Sequence, residues 1–336
     1  MKRILSLILS LTFIFTSVNL NMFKAYGASS SISSVYGWYE SIHIQWTNDP
    51  DISDTDVYYK LSSESEYTPI DKELIRSEGT EGIADIVGIK SGIYDIKITV
   101  SDKETLTENN ISVAAHDRSG YGHFNYSEGI GGYNDDGTPK SDAKIIYVTN
   151  ENKNSVKLGS YTGIGNILKS ANKYSYPIIV RIIGTVDTQA RDEDGTKTTD
   201  INNGVVAIDG LTDTVKDNDT YLNMLDVTEG KNITIEGIGN DAVIEKWGFT
   251  FKKCSSIEVR NLTFTKYPED ACSFSGSSSS VNLYKNFWVH NNYFKSGENK
   301  YDLTEEQDKH EGDGSSDFSG CKNITYSYNI FENCHK

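Results

Sequence analysis

The first third of the chain alternates apolar and polar residues in short runs that are separated by turn-forming residues. An alternation with a period of two places one set of side chains on a buried face, and Asn, Pro and Gly between the runs mark turns. The pattern predicts a two-sheet β-sandwich over residues 28–113, with Trp46 and Tyr94 as core aromatics. Its clearest strands are residues 41–46, 56–60, 84–89 and 94–100.

Later in the chain, four segments share one form. Each begins with Asn or Ser and then alternates β-branched or aromatic residues with polar ones, as in NITIEGI, SIEVRNLTF, NFWVHNNYF and NITYSYNIF. The equivalent apolar positions, spaced by 24, 30 and 37 residues, are Ile233, Ile257, Phe287 and Ile324. The rising interval indicates one short repeat that carries longer and longer insertions.

A repeat of this length cannot bury its own apolar face and must stack on copies of itself. A right-handed parallel β-helix over residues 114–336 meets that requirement, with hydrogen bonds between the side chains of Asn292 and Asn329 at a bend. A further β-sandwich is the alternative, but it does not predict the recurring Asn-apolar-x-apolar pattern. Three other segments are predicted separately. Residues 101–120 are predicted to be a junction, residues 162–173 a short helix and residues 176–187 an apolar strand.

The first residues have the pattern of a secretory signal. Two cations precede an apolar run over residues 4–18, and small residues follow at Ala25 and Gly27. This predicts a signal peptide over residues 1–27 and a secreted, extracellular protein. A membrane anchor is the alternative, but the run is shorter than the roughly 20 residues that a spanning helix needs. We expect no membrane span in the mature protein and a monomer in solution.

Charge and cysteine content narrow the classes of partner. The formal net charge of −16 over 336 residues argues against nucleic acid as a partner. The four cysteines form no CxxC pair and have no histidine at zinc-finger spacing, which argues against a zinc site. Export permits disulfides, whereas repeated strands would bury free thiols, and both possibilities stay open. The cysteines are Cys254, Cys272, Cys321 and Cys334.

Acidic residues concentrate in the insertions between the repeats. Asp270 follows one repeat, and Asp313 and Asp317 stand four residues apart before the next strand of the series. Because adjacent coils of a β-helix lie about 4.8 Å apart, these three carboxylates could converge on one point. Three hard oxygen ligands suit calcium. The other acids of that insertion, within residues 298–308, are expected to be solvated.

Three motifs in this region resemble those of the pectate lyases, which are extracellular β-helix enzymes of polysaccharide lyase family 1. They are WVHNNYF at 288–294, DGSSD at 313–317 and TYSYNIFENCHK at 325–336. The resemblance covers roughly residues 114–336. The strands of the first unit resemble a fibronectin type III module or a similar immunoglobulin-like sandwich.

The pectate lyase resemblance implies a function and a set of site residues. Asp270, Asp313 and Asp317 would hold Ca²⁺, and Lys336 would grip polygalacturonate, the acidic polymer of pectin. In this family an arginine in a later coil removes the proton, so the base is expected beyond Lys336. The chain is therefore read as a C-terminally truncated pectate lyase with an incomplete β-helix, and we expect this polypeptide alone to be inactive or nearly so.

Two alternative functions stay open. A polygalacturonase would share the β-helix but hydrolyse with paired aspartates, and its usual motifs are not found near the later coils. A non-catalytic, calcium-dependent pectin-binding protein would retain polygalacturonate without cleaving it. The product separates these, because β-elimination leaves an ultraviolet-absorbing unsaturated end and hydrolysis does not.

Overall fold

The computed structural model describes residues 29–47, 52–100, 104–188, 206–211, 223–267, 270–295 and 314–334. Within these ranges the chain is built almost entirely from β-strands, as predicted. An antiparallel unit comes first and a parallel unit follows it. The predicted signal peptide, residues 1–27, lies outside the described residues.

The N-terminal unit consists of two four-stranded antiparallel sheets. The inward side chains of both sheets form one apolar cluster that contains Trp46 and Tyr94, both buried. The kinship of this unit with fibronectin type III modules stays a prediction. In hydrogen-bonded order, one sheet is β1 (Ser31–Gly37), β2 (Ser41–Thr47), β6 (Glu81–Val87) and β5 (Ile75–Glu78), and the other is β4 (Thr68–Pro69), β3 (Asp56–Leu61), β7 (Gly92–Val100) and β8 (Glu104–Val113).

Part of the predicted junction is a strand. β8 pairs along the whole of β7 in an antiparallel ladder. The expectation of a junction was wrong here because only Ile111 and Val113 of this strand are buried. A strand at the edge of a sheet, with mostly solvated side chains on both faces, carries too little apolar alternation to be identified from the sequence.

The C-terminal unit is a solenoid of parallel strands that form three faces. We call these faces the first, second and third solenoid sheets. The first contains β9 (Lys144–Val148), β12 (Ile178–Asp187), β14 (Lys231–Glu245), β16 (Ser255–Arg260), β19 (Lys285–His290) and β22 (Lys322–Ser327). The second continues from the end of β14 through β17 (Thr263–Thr265), β20 (Tyr293–Lys295) and β23 (Ile330–Glu332), and the third contains β13 (Met224–Thr228), β15 (Gly248–Lys252), β18 (Cys272–Ser275) and β21 (Phe318–Ser319).

Short elements complete the described chain. The segment predicted as a helix contains one α-helical turn and a half, followed by a 3₁₀ turn, and the apolar strand predicted after it is β12. No helix in the described ranges is long and apolar enough to cross a membrane. The remaining elements are β10 (Lys157–Leu158), β11 (Tyr161–Thr162), α1 (Ile164–Lys169) and 3₁₀ turns at Ile52–Asp54, Lys72–Leu74, Tyr121–His123 and Ala171–Lys173.

The parallel register confirms the repeat. Each equivalent apolar residue pairs with the one in the next coil, in the order Ile178, Ile233, Ile257, Phe287 and Ile324. Inside the third sheet, the rings of Phe251, Phe274 and Phe318 stack at centroid distances of 5.1 and 4.4 Å. Stacking like on like buries the apolar face that one repeat could not bury alone.

The recurring Asn at the start of each repeat has a backbone cause. The residues at this position, Asn232, Ser256, Asn286 and Asn323, have φ values of 57°, 55°, 68° and 55°. Asn tolerates this left-handed conformation better than most residues, so the bend before each strand selects it. At the next bend, Asn292 Nδ2 donates to Asn329 Oδ1 at 3.1 Å, which confirms the predicted contact.

All four cysteines are free thiols. Cys254 and Cys272 are buried in the interior of the solenoid, where they pack as small apolar residues. Of the two possibilities left open by the sequence, the described structure has the free thiols.

Candidate functional site

Two of the predicted metal ligands lie next to each other on neighbouring coils. Asp270 precedes β18 and Asp317 precedes β21, and these strands pair in parallel through Phe274 and Phe318. The backbone N–H of Phe274 donates to the carbonyl of Asp317 at 2.8 Å, and that of Cys272 donates to Ser315 at 3.2 Å. The segments that lead into these two strands therefore lie one above the other on adjacent coils, as the coil spacing predicts.

The two carboxylates approach a common point beside Gly314. A Cβ atom built on Gly314 would lie 3.2 Å from Asp270 Oδ1 and 3.4 Å from Asp317 Oδ1. Asp270 is buried at 9 % exposure, whereas Asp317 is exposed. One carboxylate is thus fixed in the wall of the solenoid, and the other faces solvent above it.

Neutral groups lie beneath this pair. The Tyr267 hydroxyl is 2.9 Å from the Ser315 hydroxyl. Burial raises the pKa of Tyr267, and the nearby Asp270 charge raises it further. Burial, and then the charge of Asp270, likewise raise the pKa of the Cys272 thiol. Both groups stay protonated near neutral pH, so the negative charge at this point belongs to the carboxylates.

The remaining predicted ligands are not placed. Asp313 and Lys336 lie outside the described residues, so the structure neither joins them to Asp270 and Asp317 nor separates them. The described residues contain no group of three or more His, Cys, Asp and Glu side chains that could hold a metal ion. The described donors are two carboxylates, and hard oxygen donors of this kind fit Ca²⁺.

The outward side of the third sheet carries polar and charged side chains that no motif in the sequence marks. Asp226, Thr250 and Ser273 are in register on successive strands, and Asp317 follows them, since it directly precedes the partner of Phe274. Lys252 lies on the same side and donates to Asp226 at 2.8 Å. The alternation of apolar and polar residues in GFTFK was the sequence signal for Lys252, because it places Thr250 and Lys252 on the face opposite the two phenylalanines.

The outward side of the first sheet is a buried ionic network. Arg260 contacts Glu236 at 2.7 Å and Glu258 at 3.3 Å, and Arg181 contacts Glu236 at 2.8 Å. Burial opposes ionisation of Glu236, but the charges of Arg260 and Arg181 hold its pKa below the usual value. Glu40, from the sandwich, ion-pairs with Arg118 and lies 3.7 Å from Arg260. The network therefore joins the two units.

Comparison with known proteins gives limited likeness. No protein-family model matches the chain, and no curated protein matches it. Three solved structures are similar at a TM-score of 0.34. They are the thermostable pectate lyase PL 47 (20 % identity, 56 % of this chain and 52 % of that chain), an arginine-to-lysine mutant of Bacillus subtilis pectate lyase (17 %, 65 % and 61 %), and a pectate lyase studied for substrate specificity and the anti β-elimination mechanism (16 %, 64 % and 60 %).

The matched part spans between 52 % and 61 % of the length of these three structures. Likeness at this level transfers no residue role. The parallel solenoid described above stands on its own hydrogen-bonded register.

Proposed function

We propose that this chain is an exported, monomeric β-helix protein of the pectate lyase type that acts on polygalacturonate with the aid of Ca²⁺. The ion would be held by Asp270, Asp313 and Asp317, and Lys336 would bind the acidic polymer. The observation that carries the proposal is the approach of the Asp270 and Asp317 carboxylates to one point beside Gly314. The DGSSD and TYSYNIFENCHK motifs support it.

The chemistry explains why these residue types would be needed. In cleavage by β-elimination a base takes the C5 proton of a galacturonate, and negative charge develops on the adjacent carboxylate. A C4–C5 double bond then forms as the glycosidic C4–O bond breaks and the next sugar leaves. A bound calcium ion would stabilise that charge, which makes the proton more acidic. Asp270 and Asp317 would hold the ion, and Lys336 would offset the repulsion between an acidic protein and an acidic polymer.

One observation favours a second candidate, a calcium-dependent pectin-binding protein that does not cleave. Four arginines lie in the described ranges, and all of them make ion pairs on the side of the first solenoid sheet or at the sandwich. None of these four lies on the third sheet, so none is assigned as the base. They are Arg76, Arg118, Arg181 and Arg260.

The test combines calcium binding with product analysis. We expect titration calorimetry with CaCl₂ to show binding that Asp317→Asn weakens at least about tenfold, since a charged ligand is lost. Asp142→Asn, which changes an exposed acid in the turn before β9, is the matched control and should bind as the parent does. The absence of calcium-dependent heat from the parent protein would refute the proposed site.

The two candidate functions are separated on polygalacturonate. A lyase produces ultraviolet-absorbing unsaturated ends in the presence of Ca²⁺ and not in the presence of a chelator. A binding protein is retained by immobilised polygalacturonate with Ca²⁺ but gives no such product. Reducing ends without ultraviolet absorbance would instead indicate hydrolysis.

A further inference from the structure

A second candidate site lies where the sandwich meets the solenoid. A cleft of about 490 Å³ opens there, in the size range of sites for small molecules. Its lining comes from β1, β2 and β6 of the sandwich and from the bends between the first and second solenoid sheets. No residue of the third solenoid sheet lines it, so it is distinct from the place where Asp270 and Asp317 meet.

Exposed aromatic rings line both sides of this cleft. Trp38, from the sandwich, is 57 % exposed, and Tyr328, from the solenoid, is 67 % exposed. Trp38 packs edge-on against Tyr39 at 5.3 Å, and Tyr39 stacks on His116 at 5.0 Å. The rings of Trp38 and Tyr39 are therefore held in place by contacts with neighbouring rings. Large aromatic surfaces left open in a concavity are typical of a binding site.

Charged groups in the cleft are paired with partners of opposite charge, and Arg76 is shared between Asp85 and the exposed Asp241. Asp85 accepts from Arg76 Nη2 at 2.5 Å and lies 2.7 Å from Nδ1 of His43. An ionised carboxylate only accepts, so Nδ1 of His43 is the protonated nitrogen. Glu40 is matched in the same way by Arg118. Because these cations are already paired with carboxylates, the site disfavours an anionic ligand and suits an uncharged ligand that carries hydrogen-bonding groups.

We propose that this cleft binds a neutral polysaccharide, with Trp38 and Tyr328 stacking on sugar rings. A pyranose ring has an apolar C–H face that packs on an aromatic ring, and a rim of hydroxyls that needs polar partners such as His43. The formal net charge of −16 disfavours an anionic polymer here, where the described cations are already in ion pairs. The proposal does not depend on the calcium site.

The experiment is affinity gel electrophoresis of the full chain in EDTA, with xyloglucan, β-1,4-galactan or polygalacturonate in the gel. At least one neutral polymer should retard the protein, and polygalacturonate should not. Trp38→Ala and Tyr328→Ala should each weaken that retardation about tenfold. Trp38→Phe keeps a stacking face and should lose less.

Tyr121→Ala is the matched control, because Tyr121 is 75 % exposed but does not line the cleft. The variant should be retarded as strongly as the parent. Failure of both neutral polymers to retard the parent, or an equal loss in Tyr121→Ala, would overturn the proposal. So would a dimer in light scattering that Trp38→Ala dissociates, since a second copy of the chain would then cover the cleft. If polygalacturonate retarded the parent protein in EDTA and Trp38→Ala removed that retardation, the ligand of the cleft would not be uncharged.

Discussion

The first and third solenoid sheets use the same outward positions of stacked strands for different purposes. On the first sheet these positions carry Arg181, Glu236 and Arg260, which pair across coils and are buried under the sandwich. On the third sheet they carry small polar residues, acids and Lys252, which pairs with Asp226, and Asp317 faces solvent. Neighbouring coils therefore bring charged side chains together on both sheets. The two sheets differ in burial, which determines whether the charges are open to a ligand from solution.

A buried charge that is matched within the fold joins parts of the molecule and is not available to a ligand. A pair of acids of which one, Asp317, is open to solvent can take up a cation from solution. In this protein the matched network lies between the sandwich and the solenoid, whereas the acid pair lies on another face. We therefore expect substitutions in the network of the first sheet to change stability, and substitutions at the acid pair beside the third sheet to change the binding of Ca²⁺.

The largest expected effect is the loss of a charge from the first sheet. Arg260→Met keeps most of the aliphatic length but leaves Glu236 and Glu258 without their main cation. We expect a fall in the free energy of unfolding of about 3–5 kcal/mol, because breaking a buried pair leaves an uncompensated charge. Urea unfolding followed by circular dichroism measures it.

The matched control removes a surface cation from the same solenoid. Lys266 pairs with Glu245 at 2.9 Å, and its side chain is about half exposed. Lys266→Met should cost no more than about 1 kcal/mol, as is usual for exposed pairs. Equal costs for the two substitutions would break the comparison between buried and exposed charges.

The sequence was sufficient for the parts of the molecule that repeat. The equivalence of Ile233 and Ile257 follows from their pattern, and the register confirms it. The approach of Asp270 to Asp317 also follows from repetition, because both residues precede strands of adjacent coils. The residue pattern within each repeat and the spacing between coils are enough to predict both contacts.

The sequence was insufficient where distant parts of the chain meet. In SIEVRNLTF, Glu258 and Arg260 alternate with apolar residues and read as solvent-facing, although both are buried. Their burial depends on the docked sandwich, which brings Glu40 within 3.7 Å of Arg260 from more than two hundred residues away. The cleft beside Trp38 depends on the same docking. No periodicity encodes such a contact.

A smaller effect tests the interface between the two units through pH. Burial, followed by the charges of His290 and Arg260, lowers the pKa of His116 from 6.5 to about 2, while Glu258 opposes this and Arg118 adds to it. The folded protein keeps this ring neutral, whereas the unfolded chain protonates it below about pH 6.5. The unfolded state then binds more protons, so stability is lost as the pH falls below 6.5.

His116→Gln removes this titration. Between pH 7.5 and pH 5 the variant should lose less unfolding free energy than the parent, by on the order of 1 kcal/mol after allowance for partial exposure. The window lies above the usual pKa of Glu, so the buried carboxylates contribute little there. Urea unfolding at several pH values gives both slopes, and parallel slopes would mean that His116 is not held neutral.

The smallest effect on stability, and the sharpest on the third sheet, is expected from Gly314→Ala. Gly314 does not have a left-handed backbone conformation, so alanine is tolerated there, but its Cβ would come within 3.2 Å of Asp270 Oδ1 and 3.4 Å of Asp317 Oδ1. The unfolding free energy should change by less than about 1 kcal/mol, since the exposed Asp317 side chain can move aside. If the carboxylates share a cation, that movement separates two ligands, and calorimetry should show a several-fold weaker affinity for Ca²⁺. Ser319→Ala, on the same face but away from the pair, is the control. Unchanged calcium affinity in Gly314→Ala would mean that the point where the two carboxylates meet is not where the ion is held.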